Sequence, residues 1–394
     1  MVKEDRPAQV AEGRITPEAL EELKSRIGTK FRTGPKGNEL ACRETIVNFC
    51  KGVGDLNPLY NDEEYGKKTR YGCLIAPPSW LYSTAAGVQQ GLRGVHGFHS
   101  GDDWEFYKPV LIGDRVRAEQ ILAGVEEKPS DFAGKMIIEH HDKVYYNQKD
   151  EIIAKAKGWI IRTERQSARK KGKYSQIQIP HPWTDEELRK IENEIMSEEV
   201  RGDRVRHWED VQIGEELPPV IKGPLGLTDE IAFCAGCGSY YFVAHRAALS
   251  GYRRHPAWSF RDPDCHSLEP MFAVHYNLRA ALATGVPYPY AWGRQLQCWQ
   301  INLLTNWMGD EGWLKTCYCE YRRFVYLSDV VWLRGKVTGK SIDDHNEYCV
   351  DIETSGFNQR GENTMPGRAV VILPSREGNT WPIAVRLPKE KASL

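Results

Sequence analysis

Three landmarks recur in the same order along the chain, so whatever fold the first half adopts the second must repeat. The stretch "FCKGVG" at residues 49–54 returns as "FCAGCG" at 233–238; "LIGDRV" around Asp114 returns as "YLSDVV" around Asp329; "NQKDE" from Asn147 returns as "NQRGE" from Asn358. Tyr60 precedes Asp114 by 54 positions and His275 precedes Asp329 by the same 54, which makes His275 the counterpart of Tyr60. In the same alignment Asp55 stands opposite Ser239. Tyr60 follows Asp55 by 5 positions, whereas His275 follows Ser239 by 36, so the second copy carries 31 extra residues.

Each copy has the same coarse plan. A short polar segment leads into a run with apolar residues at helical spacing, "PPSWLYSTAAGVQQGL" in the first half and "RQLQCWQINLLTNWM" in the second. Alternating apolar and polar residues then predict hairpins: "KMIIEHHDKVYYN" with "EIIAKAKGWIIRT", and "EYCVDIETSGFN" with "AVVILP". One helix followed by antiparallel strands is an α+β layer. The segment between the copies is charged and poor in apolar residues; from Thr184 it reads as a capped, solvated helix. The expected organisation is therefore an N-terminal domain over residues 1–165, a linker over 166–205, and a C-terminal domain over 206–394 with an insertion at about 240–270.

Composition narrows the function. A net charge of −1, with both signs interspersed, leaves no basic surface for nucleic acid or an anionic membrane. The N-terminus lacks a signal-peptide core and no apolar run reaches about 20 residues, so the expectation is a cytoplasmic protein without a membrane partner. The ten cysteines then read as reduced thiols, and "CAGC" at 234–237 has no second ligand pair, so no metal site is expected.

The segment "GDLNPLYNDEEYGKKTRYGCLIAPPSW" resembles the hydratase motif of MaoC-like (R)-specific enoyl-CoA hydratases, whose usual form is G-D-x-N-P-x-H-x-D. "VHYNLRAALATGVPYPYAWGRQLQ" resembles the later part of that motif, and "FYKPVLIGDRV" is similar to the family's strand entry. The resemblance implies a tandem (double) hot-dog fold, each half an antiparallel sheet wrapped around a central helix, the first half being a FAS1-like dehydratase domain. It also implies an acyl-CoA thioester as substrate, with coenzyme A part of that substrate and no separate cofactor, and a homo-oligomer.

Adding water across an α,β-unsaturated thioester needs a base, an acid for the α-carbon, and a donor for the developing enolate oxygen. In the family the Asp and His of the motif move the protons, and a backbone N–H at the start of the central helix holds the oxygen. The first half keeps Asp55 and Asn57 but has Tyr60, a poor base at neutral pH, at the His position. Asp55 and Tyr60 are thus catalytic candidates beside a reading in which the segment only shapes an acyl-binding surface. The second half has His275, Asn277 in place of Asp62, and Gly293, whereas the first half offers Pro78, which has no N–H.

His275 is accordingly the expected acid/base and Gly293 the oxyanion donor. The missing carboxylate is sought in the insertion, where Glu269 and Asp264 lie nearest in sequence. These acids are equally compatible with surface pairs to Arg253, Arg254 and Arg261. Arg253 and Arg254 are alternatively candidates for the coenzyme A phosphates. Trp292 is a candidate for the acyl pocket or for plain core. The leading function is a reversible hydratase or dehydratase of acyl thioesters. A noncatalytic acyl-CoA-binding subunit and a hot-dog thioesterase are the alternatives.

Overall fold

The computed structural model describes residues 8–31, 37–84, 92–171, 177–239 and 242–378. Nine strands form one antiparallel sheet: β1 (His96–Phe106), β2 (Arg117–Ser130), β3 (Gly134–Tyr146) and β4 (Ile152–Thr163) from the first half, then β5 (Val220–Lys222), β6 (Trp313–Glu320), β7 (Val331–Ile342), β8 (Tyr348–Asn358) and β9 (Gly367–Ile372). Their order is β2-β3-β4-β1-β6-β9-β8-β7-β5. Read outward from the β1–β6 seam, the first half runs β1, β4, β3, β2 and the second β6, β9, β8, β7 with the short β5 added at its edge, so the sequence repeat becomes a pseudo-twofold relation. The seam pairs Glu105 with Thr316 through to Gly101 with Glu320. This is the double hot-dog arrangement.

Both later landmarks turn out to be structural. Gln148 donates to Asp114 Oδ1 at 2.9 Å, and its counterpart Gln359 donates to Asp329 Oδ1 at 2.6 Å. The same carboxylates accept from Leu111 N and Tyr326 N, tying two turns together in each half. A polar clasp of this kind satisfies backbone groups at strand ends and recurs because the fold recurs.

The first landmark joins the halves. Helix α1 (Arg43–Val53) buries Ile46, Phe49, Cys50 and Val53, one helical face, and its counterpart is a helix over Leu227–Gly236. A Cβ on Gly52 would lie 2.6 Å from the Ala232 carbonyl oxygen, and one on Gly236 would lie 2.7 Å from that of Asn48. The repeated glycine therefore permits the two helices to cross in contact, with Phe49 and Phe233 tilted at 6.4 Å beside the crossing.

The halves differ in their central helices. The second half has a 16-residue α-helix, Gly293–Met308, buried along nearly its whole length, ending at Gly309 with φ 72°. In the first half the expected helix is instead a 3-10 segment, Pro78–Ser83, and the chain turns extended at Thr84. Ser83 Oγ donates back to the Trp80 carbonyl, a local bond that competes with helix continuation. Residues 85–91 of that run lie outside the described residues. The helix expected from Thr184 is present over Asp185–Met196 with a Thr184–Glu187 capping box. It is not wholly solvated: Ile191 is buried against Ile221 and Val330, and Trp332 Nε1 donates to Glu194. Among the described residues no helix is long and apolar enough to cross a membrane.

Candidate active site

A cavity of about 470 Å³ opens between the halves, with β1, β3 and β4 on one side and the entrance of the Gly293–Met308 helix on the other. Gly293 lines it and is the first helical residue, so its N–H belongs to the turn that has no intrahelical acceptor. A Cβ at this position would lie 2.8 Å from the His99 carbonyl oxygen and 2.9 Å from the Tyr321 ring. Only glycine lets the helix start approach β1 this closely, where the helix dipole favours negative charge.

His275 lines the same cavity at 7% exposure. It ends a 3-10 segment, Met271–His275, and its ring stacks on Trp292, the residue preceding Gly293, at 3.8 Å and 24°. Nδ1 lies 2.7 Å from the Tyr290 carbonyl. A carbonyl only accepts, so Nδ1 carries the proton and Nε2 carries the lone pair. Burial pushes the imidazole pKa down to about 3, against the Tyr290 bond and with help from Arg294. The ring is neutral at physiological pH.

The carboxylate partners expected from the insertion are elsewhere. Glu269 accepts from Ser267 Oγ at 2.7 Å, and Asp264 pairs with Arg279 Nε at 2.9 Å. The insertion closes on itself: Asp262 accepts from the backbone of Asp264 and Cys265, turning a hairpin between Ser259–Arg261 and Leu268–Pro270. Asn277 donates to Asp262 and caps the helix Leu278–Ala283, so it holds the insertion rather than lining the cavity. Arg253 and Arg254 sit in the exposed last turn of the helix His245–Arg254 and outside the cavity wall. Their expected pairing with the insertion acids is replaced by Asn277, which bonds Asp262, and Arg279, which bonds Asp264, two and four residues after His275.

The first-half motif occupies a different environment. Asp55 accepts from Asn57 N, Asn57 Oδ1 accepts from Leu59 N, and Asn61 donates to the Asp55 and Asn57 carbonyls. The four residues brace a turn. Burial raises the Asp55 pKa to about 6, with the Asn57 N–H and Lys222 opposing it. Tyr60 is 2% exposed and its phenol is driven well above the usual range, again by burial. Beside Tyr60 and Pro78 the free space is about 30 Å³, room for about one water.

One pair in the cavity wall was not singled out by sequence reasoning. His99 Nε2 lies 2.8 Å from Asp102 Oδ2, off the line of the N–H, so the contact is chiefly electrostatic. Asp102 is fully buried and also accepts from Tyr82 at 2.7 Å and Lys143 at 3.1 Å. Burial would raise its pKa, but His99, Lys143 and Tyr82 outweigh that and hold it well below the usual carboxylate range. Gly158 makes the room, since a Cβ there would lie 2.1 Å from Asp102 Oδ1. With Nε2 buried against the carboxylate, the exposed 22% of the His99 side chain faces the cavity. Burial lowers the His99 pKa more than Asp102 raises it. Residues three apart normally lie on opposite faces of a strand; the register shift between His99 and Gly101 brings His99 and Asp102 to the same one.

The comparisons with known proteins agree with this geometry at the level of fold and domain. Over 89% of this chain and 99% of the other, the structure matches a solved MaoC-like dehydratase with a TM-score of 0.61 at 15% identity. The chain has the double hot-dog fold of that protein. Residues 25–156 match the family described as FAS1-like, dehydratase domain region, so the first half carries that region. A UPF0336 protein of Streptomyces avermitilis is 28% identical over 119 residues, covering 28% of this chain and 77% of the relative. A protein of Thermomonospora curvata named "Probable enoyl-CoA hydratase alpha subunit" is 19% identical over 160 residues, 36% of this chain and 50% of the relative.

Proposed function

We propose that the chain interconverts enoyl and 3-hydroxyacyl thioesters of coenzyme A at the cavity between its halves. One observation carries the reading: two imidazoles whose pKa burial lowers, His275 with its tautomer fixed by the Tyr290 carbonyl and His99 beside the Asp102 carboxylate, face the same space as a helix-entrance amide. The FAS1-like dehydratase region and the name of the Thermomonospora relative support the same reaction class.

In the hydration direction the thioester oxygen accepts from Gly293 N–H. A water is held between the lone pairs of His99 Nδ1 and His275 Nε2. Its oxygen bonds to the β-carbon, one proton passes to His99, and the π electrons move onto the thioester oxygen. The enolate then collapses as the α-carbon takes a proton back from the imidazolium. His99 is the better proton acceptor because the Asp102 carboxylate stabilises the cation formed. His275, lacking a carboxylate and with its pKa pushed down to about 3, orients the water through a hydrogen bond.

Loss of enoyl absorbance on incubation with crotonyl-CoA and larger enoyl-CoA esters tests the reaction. His99→Ala and His275→Ala should each lower turnover by about a hundredfold or more, with the fold retained. Release of free thiol without loss of the enoyl group would instead make the protein a thioesterase. Tight acyl-CoA binding with no turnover would make it a noncatalytic subunit.

A further inference from the structure

The cavity extends past the proposed reaction centre to an end whose polarity an ordinary fatty acyl chain would not match. From His275 the wall continues through Tyr290, whose ring meets the imidazole edge-on at 4.9 Å, to Phe98 at 6.4 Å, with Phe324 5.4 Å from Phe98. This is an apolar slot. One strand pair further along the same face of β1 and β4, the Phe98–Ile161 pair gives way to His96 opposite Thr163. Arg165 comes two residues after Thr163, past Glu164. His96, Thr163 and Arg165 all line the cavity and are buried, with exposures of 8%, 1% and 4%.

Among the described residues this end has unused hydrogen-bonding capacity and one guanidinium with no carboxylate bonded to it. The Thr163 hydroxyl and Arg165 Nε are buried without a partner. The remaining hydrogen bond of the Arg165 guanidinium goes to a neutral acceptor, the Ala11 carbonyl at 2.6 Å. The acid that acts on it most, Glu12, is bonded to Arg169. The neighbouring Arg162 differs: Glu139 accepts from its Nε at 3.0 Å and neutralises it. Desolvated guanidinium without a carboxylate is costly, and a bound anion removes the cost.

We infer that Arg165, with Thr163 and His96, binds a carboxylate at the far end of the acyl group, so that the substrate is the mono-thioester of an unsaturated dicarboxylic acid. The inference deepens the hydratase reading and rests on it for the reacting group. The site shares the wall of the reaction centre: the His96 ring lies 4.5 Å from Phe98, Phe98 lies 6.4 Å from Tyr290, and the Tyr290 carbonyl and ring both meet His275. The phosphates of coenzyme A are separated from the sulfur by the whole pantetheine arm, too far for this neighbourhood.

Equilibrium binding of unreactive saturated thioesters to the purified chain, followed by tryptophan fluorescence or calorimetry, separates this inference from catalysis. Succinyl-, adipyl- and suberyl-CoA are compared with butyryl-, hexanoyl- and octanoyl-CoA. At the best-fitting length the carboxylate-ended ester should bind about tenfold tighter or more, the usual effect of a charge-assisted bond. In Arg165→Met that ratio should fall to about one, and Arg165→Lys should restore part of it. No carboxylate preference at any length in the unsubstituted protein would overturn the inference without need of a variant. So would equal weakening of both ester series and of free coenzyme A in Arg165→Met, which would assign the arginine to a phosphate. Preferential binding of the dicarboxylyl esters without hydration of their enoyl forms would uphold the subsite and sink the proposed reaction.

Discussion

The two motif regions descend from one pattern yet stand at opposite extremes of solvation and chemistry. Around Tyr60 and Pro78 the space is about 30 Å³, the carboxylate braces its own loop, and the helix entrance begins with prolines. Around His275 and Gly293 the space is about 470 Å³, the imidazole keeps an open lone pair, and the helix entrance offers an amide. The difference shows that a motif residue is informative only together with the cavity and the donor it faces. Asp55 matches the motif yet braces its own turn, whereas Asp102 belongs to no motif and lies 2.8 Å from His99 in the cavity wall.

Substitutions in the two regions should therefore diverge sharply. Asp102→Asn should produce the largest effect of these, a fall in enoyl-CoA hydration of about a hundredfold, approaching that of removing His99, because His99 loses the anion that stabilises its protonated form. An equal loss of turnover in Asp55→Asn would erase the distinction between the regions. The expected effect of Asp55→Asn is on stability instead. Its pKa is raised from 3.8 to about 6 in the folded state, so the buried charge costs stability above about pH 6 and costs nothing below about pH 4. Denaturant unfolding should show the variant more stable by up to about 3 kcal/mol at pH 7.5 and unchanged at pH 3.5. The unsubstituted protein should lose that increment as pH rises between those limits. Smallest of all, Tyr60→His, which restores the family residue, should leave kcat within about twofold, since a thioester does not fit the space beside it.

Much of this was legible in the chain. The equal spacing before Asp114 and Asp329 set the register of the halves, and the Gln148 and Gln359 clasps explain why those landmarks recur. His275 and Gly293 were legible because they lie in the repeat, and both line the cavity. Glu269 and Asp264 were misjudged because nearness in sequence says nothing about direction, and the insertion's hairpin turns both toward Ser267 and Arg279. The His99–Asp102 pair was hidden by the opposite error of periodicity: a two-residue alternation puts positions three apart on opposite faces, and only the irregular register in β1 aligns them. Arg165 reads as one more charge at the border of the charged linker; its burial against Ala11 is a long-range contact that no local pattern encodes.

The β1–β6 seam makes the two halves one covalent and hydrogen-bonded object. In a homodimer of single units, a mutation replacing the motif histidine would strike both centres at once and leave no working copy. Fusion lifts that constraint. One gene segment is free to lose its reactive group and become scaffolding, and the other can add a 31-residue insertion, whose Ala257 and Trp258 join the cavity wall, that a symmetric pair would have had to accommodate twice.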